Sequence, residues 1–403
     1  MIAQTFFDRT LRCVALPVVQ SDIGAPLEEM LSLWSDPRFA PLLNDATPRP
    51  HLMLVVNNAP EEVLDQARLI YDNHSELDQS FCGFTALSAD LKGDMDRYER
   101  KPRARLGSLG GRAGPNFQFF RTMALAEQFG GFTLQIELDC LPVQAGWIEA
   151  TQRVIDGHGS AWVIGSVYAG DGELTPDTQT HMNGNALYRT GDPLFQSFLA
   201  EVWLPRLLRR IKQDYTLPYD CWWAVERKAA SALESNEAWQ LFQNFDSFMQ
   251  SDPFVTNLLC KQSDAQAYIE VFEKFSRLGQ VPVFFHGAAM TALRKLLVTH
   301  PEETILDGMD RLTGQRGSRL RATDFAIKSK PLSPAGDASW LGRLPPGEAL
   351  LKAVAAQLLT DPKHSIEGLT HCIELSRKAL GAGSPTVAYF DHVTNFVRTH
   401  NAA

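Results

Sequence analysis

Phe132-Thr133-Leu134-Gln135-Ile136-Glu137-Leu138-Asp139 is an apolar strand that runs directly into two carboxylates. Gly130-Gly131 stands before it and stops a helix expected from about Phe117 to Gln128. The same strand and helix grammar occurs twice upstream. Leu11 to Val19 is an apolar run followed by an amphipathic stretch from Leu27 to Trp34. His51 to Val56 runs into Asn57-Asn58-Ala59-Pro60, and Glu61 to Asp72 then carries Val63, Ala67, Leu69 and Ile70 at helical spacing. Near-continuous apolar strands separated by helices imply a parallel-rich sheet covered on both faces. Right-handed crossovers bring the carboxyl ends of such strands to one edge, where open sheets bind ligands. That edge would carry Val18-Val19-Gln20, Asn57-Asn58 and Glu137-Leu138-Asp139, one polar site drawn from three separated segments.

Downstream, Ala161 to Tyr168 reads as a strand, Gly170 to Thr180 as a polar loop, Met182 to Tyr188 as extended, and Pro193 to Ile211 as a helix. The pattern changes near residue 303. Gly314 to Pro346 is rich in Gly, Pro, Arg, Lys and Ser, and Gly347 to Leu359 and Ile366 to Leu380 have helical spacing. The expected organisation is a catalytic domain over 1–302 and an extension over 303–403, an irregular connector followed by helices.

The 403 residues are 44% hydrophobic and 21% charged, the balance of an ordinary globular protein. A formal net charge of −9 argues against nucleic acid as a partner, although a local basic patch can still hold phosphate. The six cysteines (13, 82, 140, 221, 260 and 372) lack C-x-x-C spacing, so reduced thiols are expected. No basic then apolar leader and no run of about 18 apolar residues occurs, and a cytoplasmic protein without a membrane span is expected.

Strand alternation sets Glu137 and Asp139 on one side of the strand end, with Leu138 turned inward. Two hard oxygen ligands suit Mg²⁺ or Mn²⁺, which can neutralise charge building on a departing nucleotide. Between Arg97 and Arg112, Arg100, Lys101, Arg103 and Arg105 lead into Gly107, Gly110, Gly111 and Gly114, a basic glycine-rich loop suited to a diphosphate. In His181 to Arg189, Asn183 and Asn185 share a face when extended, and their amides match sugar hydroxyls. Tyr219-Asp220-Cys221-Trp222-Trp223 joins a carboxylate, a candidate general base, to Trp222 and Trp223, candidate platforms for sugar faces.

The order Gly114-Pro115-Asn116-Phe117, helix, apolar strand, Glu137-Leu138-Asp139-Cys140-Leu141-Pro142 and Gly146-Trp147 resembles the core of GT-A-type glycosyltransferases over roughly residues 10–300. The resemblance implies an α/β, Rossmann-type, mainly parallel mixed sheet with a largely helical C-terminal extension. It also implies transfer of a sugar, hexosyl in type, from a nucleotide-diphosphate donor to a carbohydrate or glycoconjugate acceptor, assisted by Mn²⁺ or Mg²⁺. The family motif is usually D-x-D. Here Glu137 stands first, leaving Asp139 as the firmer metal ligand and Glu137 open between metal and ribose. His286, after the apolar run Val281 to Phe285, matches a late histidine that completes the metal site in many members. Asn57, Asn58, Arg112 and Asn116 fall on the donor side, Asn183 and Asn185 beside the donor sugar and acceptor. A nucleotidyltransferase would carry its phosphate loop after the first strand, where Pro17 to Pro26 has one glycine and no basic residue. No G-x-G-x-x-G or P-loop occurs. A GT-A-like binding or scaffold protein without activity stays open.

Overall fold

A computed structural model describes residues 8–98, 109–159, 161–169, 180–231, 245–258, 265–277 and 282–314. In chain order the elements are β1 (Leu11–Val18), α1 (Ala25–Ser35), β2 (His51–Val56), α2 (Glu61–Asp72), β3 (Phe84–Ser88), α3 (Ala113–Ala126), β4 (Phe132–Gln135) and β5 (Cys140–Pro142). There follow α4 (Trp147–Gly157), β6 (Val163–Gly165), β7 (Ala186–Tyr188), α5 (Pro193–Ser197), a π-helical turn (Phe198–Trp203), α6 (Leu204–Ile211) and α7 (Tyr219–Ser231). β8 (Met249–Ser251), β9 (Val255–Asn257), α8 (Ala265–Arg277), β10 (Phe284–His286), α9 (Ala288–Thr299) and α10 (Ile305–Thr313) complete the described chain.

Seven strands form one mixed, mostly parallel sheet in the order β3-β2-β1-β4-β7-β6-β8. Only β7 runs against its neighbours β4 and β6. The register pairs Val14 with Leu52 and with Leu134, and Val18 with Val56, so β1 and β2 end together, while β4 leaves the ladder at Gln135, opposite Ala15. β1 and β2 are buried on both faces, as continuous apolar runs require. Val14, Leu16, Leu52 and Leu54 enter the main core with α1 and α4, while Cys13, Ala15, Met53 and Val55 pack against Ala126 and the Phe117 side of α3. A second core, dense in aromatics, lies between α3, the helices from 193 to 211 and α7.

A small second sheet, β5-β10-β9, decides where the late histidine goes. β10 runs antiparallel to β5 and parallel to β9, pairing His286 with Cys140 on one side and Asn257 on the other. Cys140 follows Asp139 directly, so this register delivers the imidazole to the carboxylates.

Several local expectations shift. Helix α3 begins at Ala113, four residues before the expected start, because Arg112 serves as its N-cap residue and Gly114-Pro115 fits its first turn. The expected strand 161–168 narrows to Val163–Gly165 plus a bridge from Val167 to Met182, and the extended stretch 182–188 pairs regularly only from Ala186. β3 was not foreseen; Phe84–Ser88 is only half-buried and lies at the sheet edge. α10 lies beyond the expected boundary at 302, yet Ile305 and Met309 belong to the main core. The connector and helices expected beyond Gly314, the basic stretch from Arg100 to Arg105 and the loop 170–179 lie outside the described residues.

Candidate active site

A cavity of about 450 Å³ opens at the carboxyl edge of the parallel strands. Its walls come from the β1 end (Pro17, Val18, Val19), the β4 end (Gln135, Glu137, Leu138, Asp139), the start of α3 (Pro115, Gln118, Phe119), Tyr98, Tyr219, and Thr291 and Arg294 of α9. The volume is that of an ordinary small-ligand site.

At its mouth His286 Nε2 lies 3.5 Å from a carboxylate oxygen of Glu137 and 3.5 Å from one of Asp139. The three ligand atoms lie within 4.8 Å of one another, a spacing at which one divalent cation can be shared. His286 is buried and its Nδ1 stands 3.0 Å from Asn257 Oδ1, an oxygen that only accepts, so Nδ1 carries a proton and Nε2 is left to face the acids. Burial alone would lower the His286 pKa, but the hydrogen bonds to Asp139 and Glu137 and their charges outweigh it and raise it to about 10. Burial works to raise the Asp139 pKa, yet His286 and the Arg294 charge hold it below the usual carboxylate value.

The backbone of the acidic motif is gripped at three successive residues. Asn185 Oδ1 accepts from the Glu137 N–H at 2.6 Å, Arg294 Nη1 donates to the Leu138 carbonyl, and the Gly287 N–H donates to the Asp139 carbonyl at 3.1 Å. Gly287 has φ +142°, and a Cβ there would come within 2.1 Å of Tyr268 Oη and 2.2 Å of the Leu258 carbonyl oxygen. Only glycine fits where β10 turns into α9. The Arg294 side chain is 3% exposed and its Nε reaches Glu29 Oε2 at 3.1 Å, tying α1, the acidic motif and α9 together.

Asn183 and Asn185 serve this grip. Asn183 Oδ1 accepts from both the backbone N–H and the side-chain amide of Asn185 at 2.8 and 2.7 Å, which aims the Asn185 oxygen at Glu137. Neither side chain lines the cavity. Asn57 is likewise occupied, donating to Asp96 Oδ1 at 2.7 Å and accepting from the Gln20 N–H at 3.2 Å; Asn58 meets the Gln20 side chain through its own carbonyl. Asn116 is 1% exposed, and its amide donates to the Leu217 carbonyl and accepts from the Tyr219 N–H at 2.7 Å. It fixes the start of α7 rather than facing a donor. Arg112 occupies the N-cap position of α3 without a side-chain capping bond and does not line the cavity.

The two indoles expected to carry sugar faces are core residues. Trp222 stacks on Trp203 at 5.3 Å and donates to Glu226, and Trp223 packs near Phe198 and donates to Asp246. Residues 222 and 223 are one helical step apart, but the aromatic core wraps α7 widely enough to take both. Asp220, in the first turn of α7, stands 3.7 Å from His181 Nε2, and Glu137 and Asp220 both act electrostatically on Tyr219 and Tyr188. Tyr219 lines the cavity, whereas Asp220 does not. Sequence reading missed Gln135, Gln118, Arg294 and Gly287. An arginine eight residues after His286, amid apolar helix residues, was the available signal for Arg294.

No family model and no curated protein matches the chain. Solved structures similar to it include mouse xyloside xylosyltransferase 1 in its apo form, at 12% identity and TM-score 0.40 over 70% of this chain and 98% of that one. The galactosyltransferase LgtC in complex with donor and acceptor sugar analogues aligns at 10% identity and TM-score 0.39, over 82% and 100%. A mannosyltransferase from Pyrobaculum calidifontis in complex with GDP-Man and Mn²⁺ aligns at 13% identity and TM-score 0.28, over 94% and 90%. At such identities and scores no residue role and no activity passes from these proteins to this chain. Among the described residues no helix is long and apolar enough to cross a membrane.

Proposed function

We propose that the chain is a GT-A-type glycosyltransferase that moves a sugar from a nucleotide-diphosphate donor to a carbohydrate or glycoconjugate acceptor. The observation that carries this reading is the meeting of Glu137, Asp139 and His286 at the mouth of a cavity on the carboxyl edge of a parallel sheet. Two carboxylates and an imidazole whose far nitrogen is held by Asn257 make a donor set suited to Mn²⁺ or Mg²⁺. A cation there would supply charge neutralisation for the diphosphate as the nucleotide leaves.

The protein's own residues then divide the work. Asn185, Arg294 and Gly287 hold the Glu137–Asp139 backbone, so the two carboxylates meet the imidazole without reorganising. Arg294 adds a buried positive charge to the cavity wall, which offsets the acids and favours an anionic donor. In an inverting transfer Asp220 is the candidate general base that takes the acceptor hydroxyl proton as that oxygen attacks the anomeric carbon; in a retaining one it has another role.

The test is Mn²⁺-dependent quenching of tryptophan fluorescence by UDP, GDP and dTDP, followed by turnover of a panel of their sugars. We expect at least one nucleotide to quench, and Asp139→Asn to abolish both quenching and transfer while melting as the parent does. If Asp139→Asn binds and turns over normally, the metal role is wrong. If the parent binds no nucleotide sugar, the chain is a scaffold of this fold.

A further inference from the structure

Apart from the acidic motif, a second set of metal-binding atoms comes together where α7 begins. His181, Asp220 and Cys221 place an imidazole nitrogen, a carboxylate oxygen and a thiol sulfur within 4.8 Å of one another. His181 Nε2 is 3.7 Å from Asp220 Oδ2, and the two side chains are 7% and 17% exposed. Zinc bonds of about 2.0–2.3 Å at the tetrahedral angle set ligand atoms roughly 3.4–3.6 Å apart, so this pair stands at nearly the spacing an ion needs. Asp220 and Cys221 are both partly exposed, which lets an ion and its water reach them.

Both arms of the cluster are held by the fold. His181 precedes Met182, which bridges to Val167, and the Asn183 N–H donates to the Ser166 carbonyl at 3.0 Å. Asp220 and Cys221 follow Tyr219, whose N–H is held by Asn116 and whose ring stacks on Phe119 at 4.0 Å. They lie in the first turn of α7, a helix end that favours anionic ligands, a thiolate among them. In the metal-free protein burial pushes the Cys221 thiol pKa up, and the charge and hydrogen bond of Asp220 add to this, so the sulfur keeps its proton and donates it to that carboxylate. A cation would take the place of this proton, which passes to solvent, because coordination deprotonates a thiol outright.

We infer that His181, Asp220 and Cys221 form a zinc site with three protein ligands and a fourth position left to water. The sulfur decides the metal. A thiolate selects Zn²⁺ over the harder Mn²⁺ and Mg²⁺, which suit the sulfur-free set of Glu137, Asp139 and His286. The site does not depend on what the cavity binds. Where the glycosyltransferase reading holds, an ion there occupies an oxygen of Asp220, the candidate base, and withholds it from an acceptor.

The experiment titrates the reduced, metal-free, full-length chain with Co²⁺, a spectroscopic stand-in for zinc, and then with Zn²⁺. Co²⁺ should give a thiolate-to-metal charge-transfer band in the near ultraviolet together with the intense visible absorption of a tetrahedral site, and Zn²⁺ should abolish both. Cys221→Ser should lose the charge-transfer band, and Asp139→Asn should keep it. Should Cys221→Ser fail to melt cooperatively, His181→Gln takes its place, and its cobalt dissociation constant should rise at least about tenfold, since even outer partners of ligands are worth that much. No charge-transfer band in the parent, a band that survives in Cys221→Ser, a band lost in Asp139→Asn, or an unchanged cobalt affinity in His181→Gln overturns the site. None of these readouts involves transfer, so the glycosyltransferase reading stands or falls separately, on nucleotide binding.

Discussion

Replacing Asn185 by alanine tests the grip on the acidic motif without touching a carboxylate. Asn185 is fully buried, and its oxygen is the partner of the Glu137 N–H at 2.6 Å. Alanine removes that acceptor and the Asn185 amide's own bond to Asn183 Oδ1, which keeps its bond from the residue 185 backbone N–H, so two contacts are lost. At about 1 kcal/mol each, the fold should lose roughly 2 kcal/mol. The larger effect falls on the cation, because outer partners of ligands are worth roughly 10–100-fold in metal affinity. Thermal melting with and without Mn²⁺ reads both at once. At a Mn²⁺ concentration 100 times the parent dissociation constant, the parent gains about 2.7 kcal/mol of stability from binding. A variant weakened tenfold gains about 1.4, and one weakened a hundredfold about 0.4 kcal/mol. Loss of most of the Mn²⁺-induced shift, with a small drop in the metal-free melting temperature, is the expected result. An unchanged Mn²⁺ shift would refute the idea that Asn185 positions Glu137 as a ligand.

Asp220→Asn should cut turnover about 10²–10⁴-fold while the donor KM stays within a fewfold, since only acceptor deprotonation is lost; near-parental kcat would place the base elsewhere. Glu226, whose side chain is 1% exposed, accepts from Arg206, Arg210 and Trp222, and Glu226→Gln should cost about 3 kcal/mol, because both arginines lose their counter-charge. A melting temperature within a degree or two of the parent would show that the arginines simply turn to water. The same residue has a pH signature. Burial raises the Glu226 pKa, but the arginine bonds outweigh that and lower it, so its stabilisation is complete above the unfolded pKa and fades as pH falls through the folded one. Between pH 5 and 3 the parent should therefore lose more stability than Glu226→Gln, and parallel melting curves across that window would contradict the assignment.

The sheet was legible because its three central strands are buried on both faces, and such strands announce themselves as unbroken apolar runs. Glu61–Asp72 was readable to the residue, its half-polar face giving a clean helical period. β3 was missed for the opposite reason: an edge strand with half-buried residues carries little apolar signal. For the site, local pattern brought Glu137 and Asp139 to a strand end. It could not bring His286 to them, since that depends on β10 pairing across 142 to 146 residues with β5, a register that follows from tertiary packing. His286 was found through the family resemblance alone. Asn116, Trp222 and Trp223 misled because amides and indoles serve cores as readily as ligands, and only burial tells the two uses apart.

Asn183 and Asn185 show where the two kinds of legibility meet. Their alternation was read as a sugar-facing pair, and they do act as a pair, but along the chain: one amide orients the other, and the second holds the Glu137 backbone. The polar atoms are consumed by backbone partners before any ligand can reach them. Gln135 extends the case. It lines the cavity wall, yet its amide nitrogen is spent on the Gly184 carbonyl and Tyr219 Oη, and its oxygen is closed off from solvent. What separates a ligand-reading amide from a scaffolding one is therefore whether the fold leaves a hydrogen-bonding valence both open and accessible, and that exists only in three dimensions.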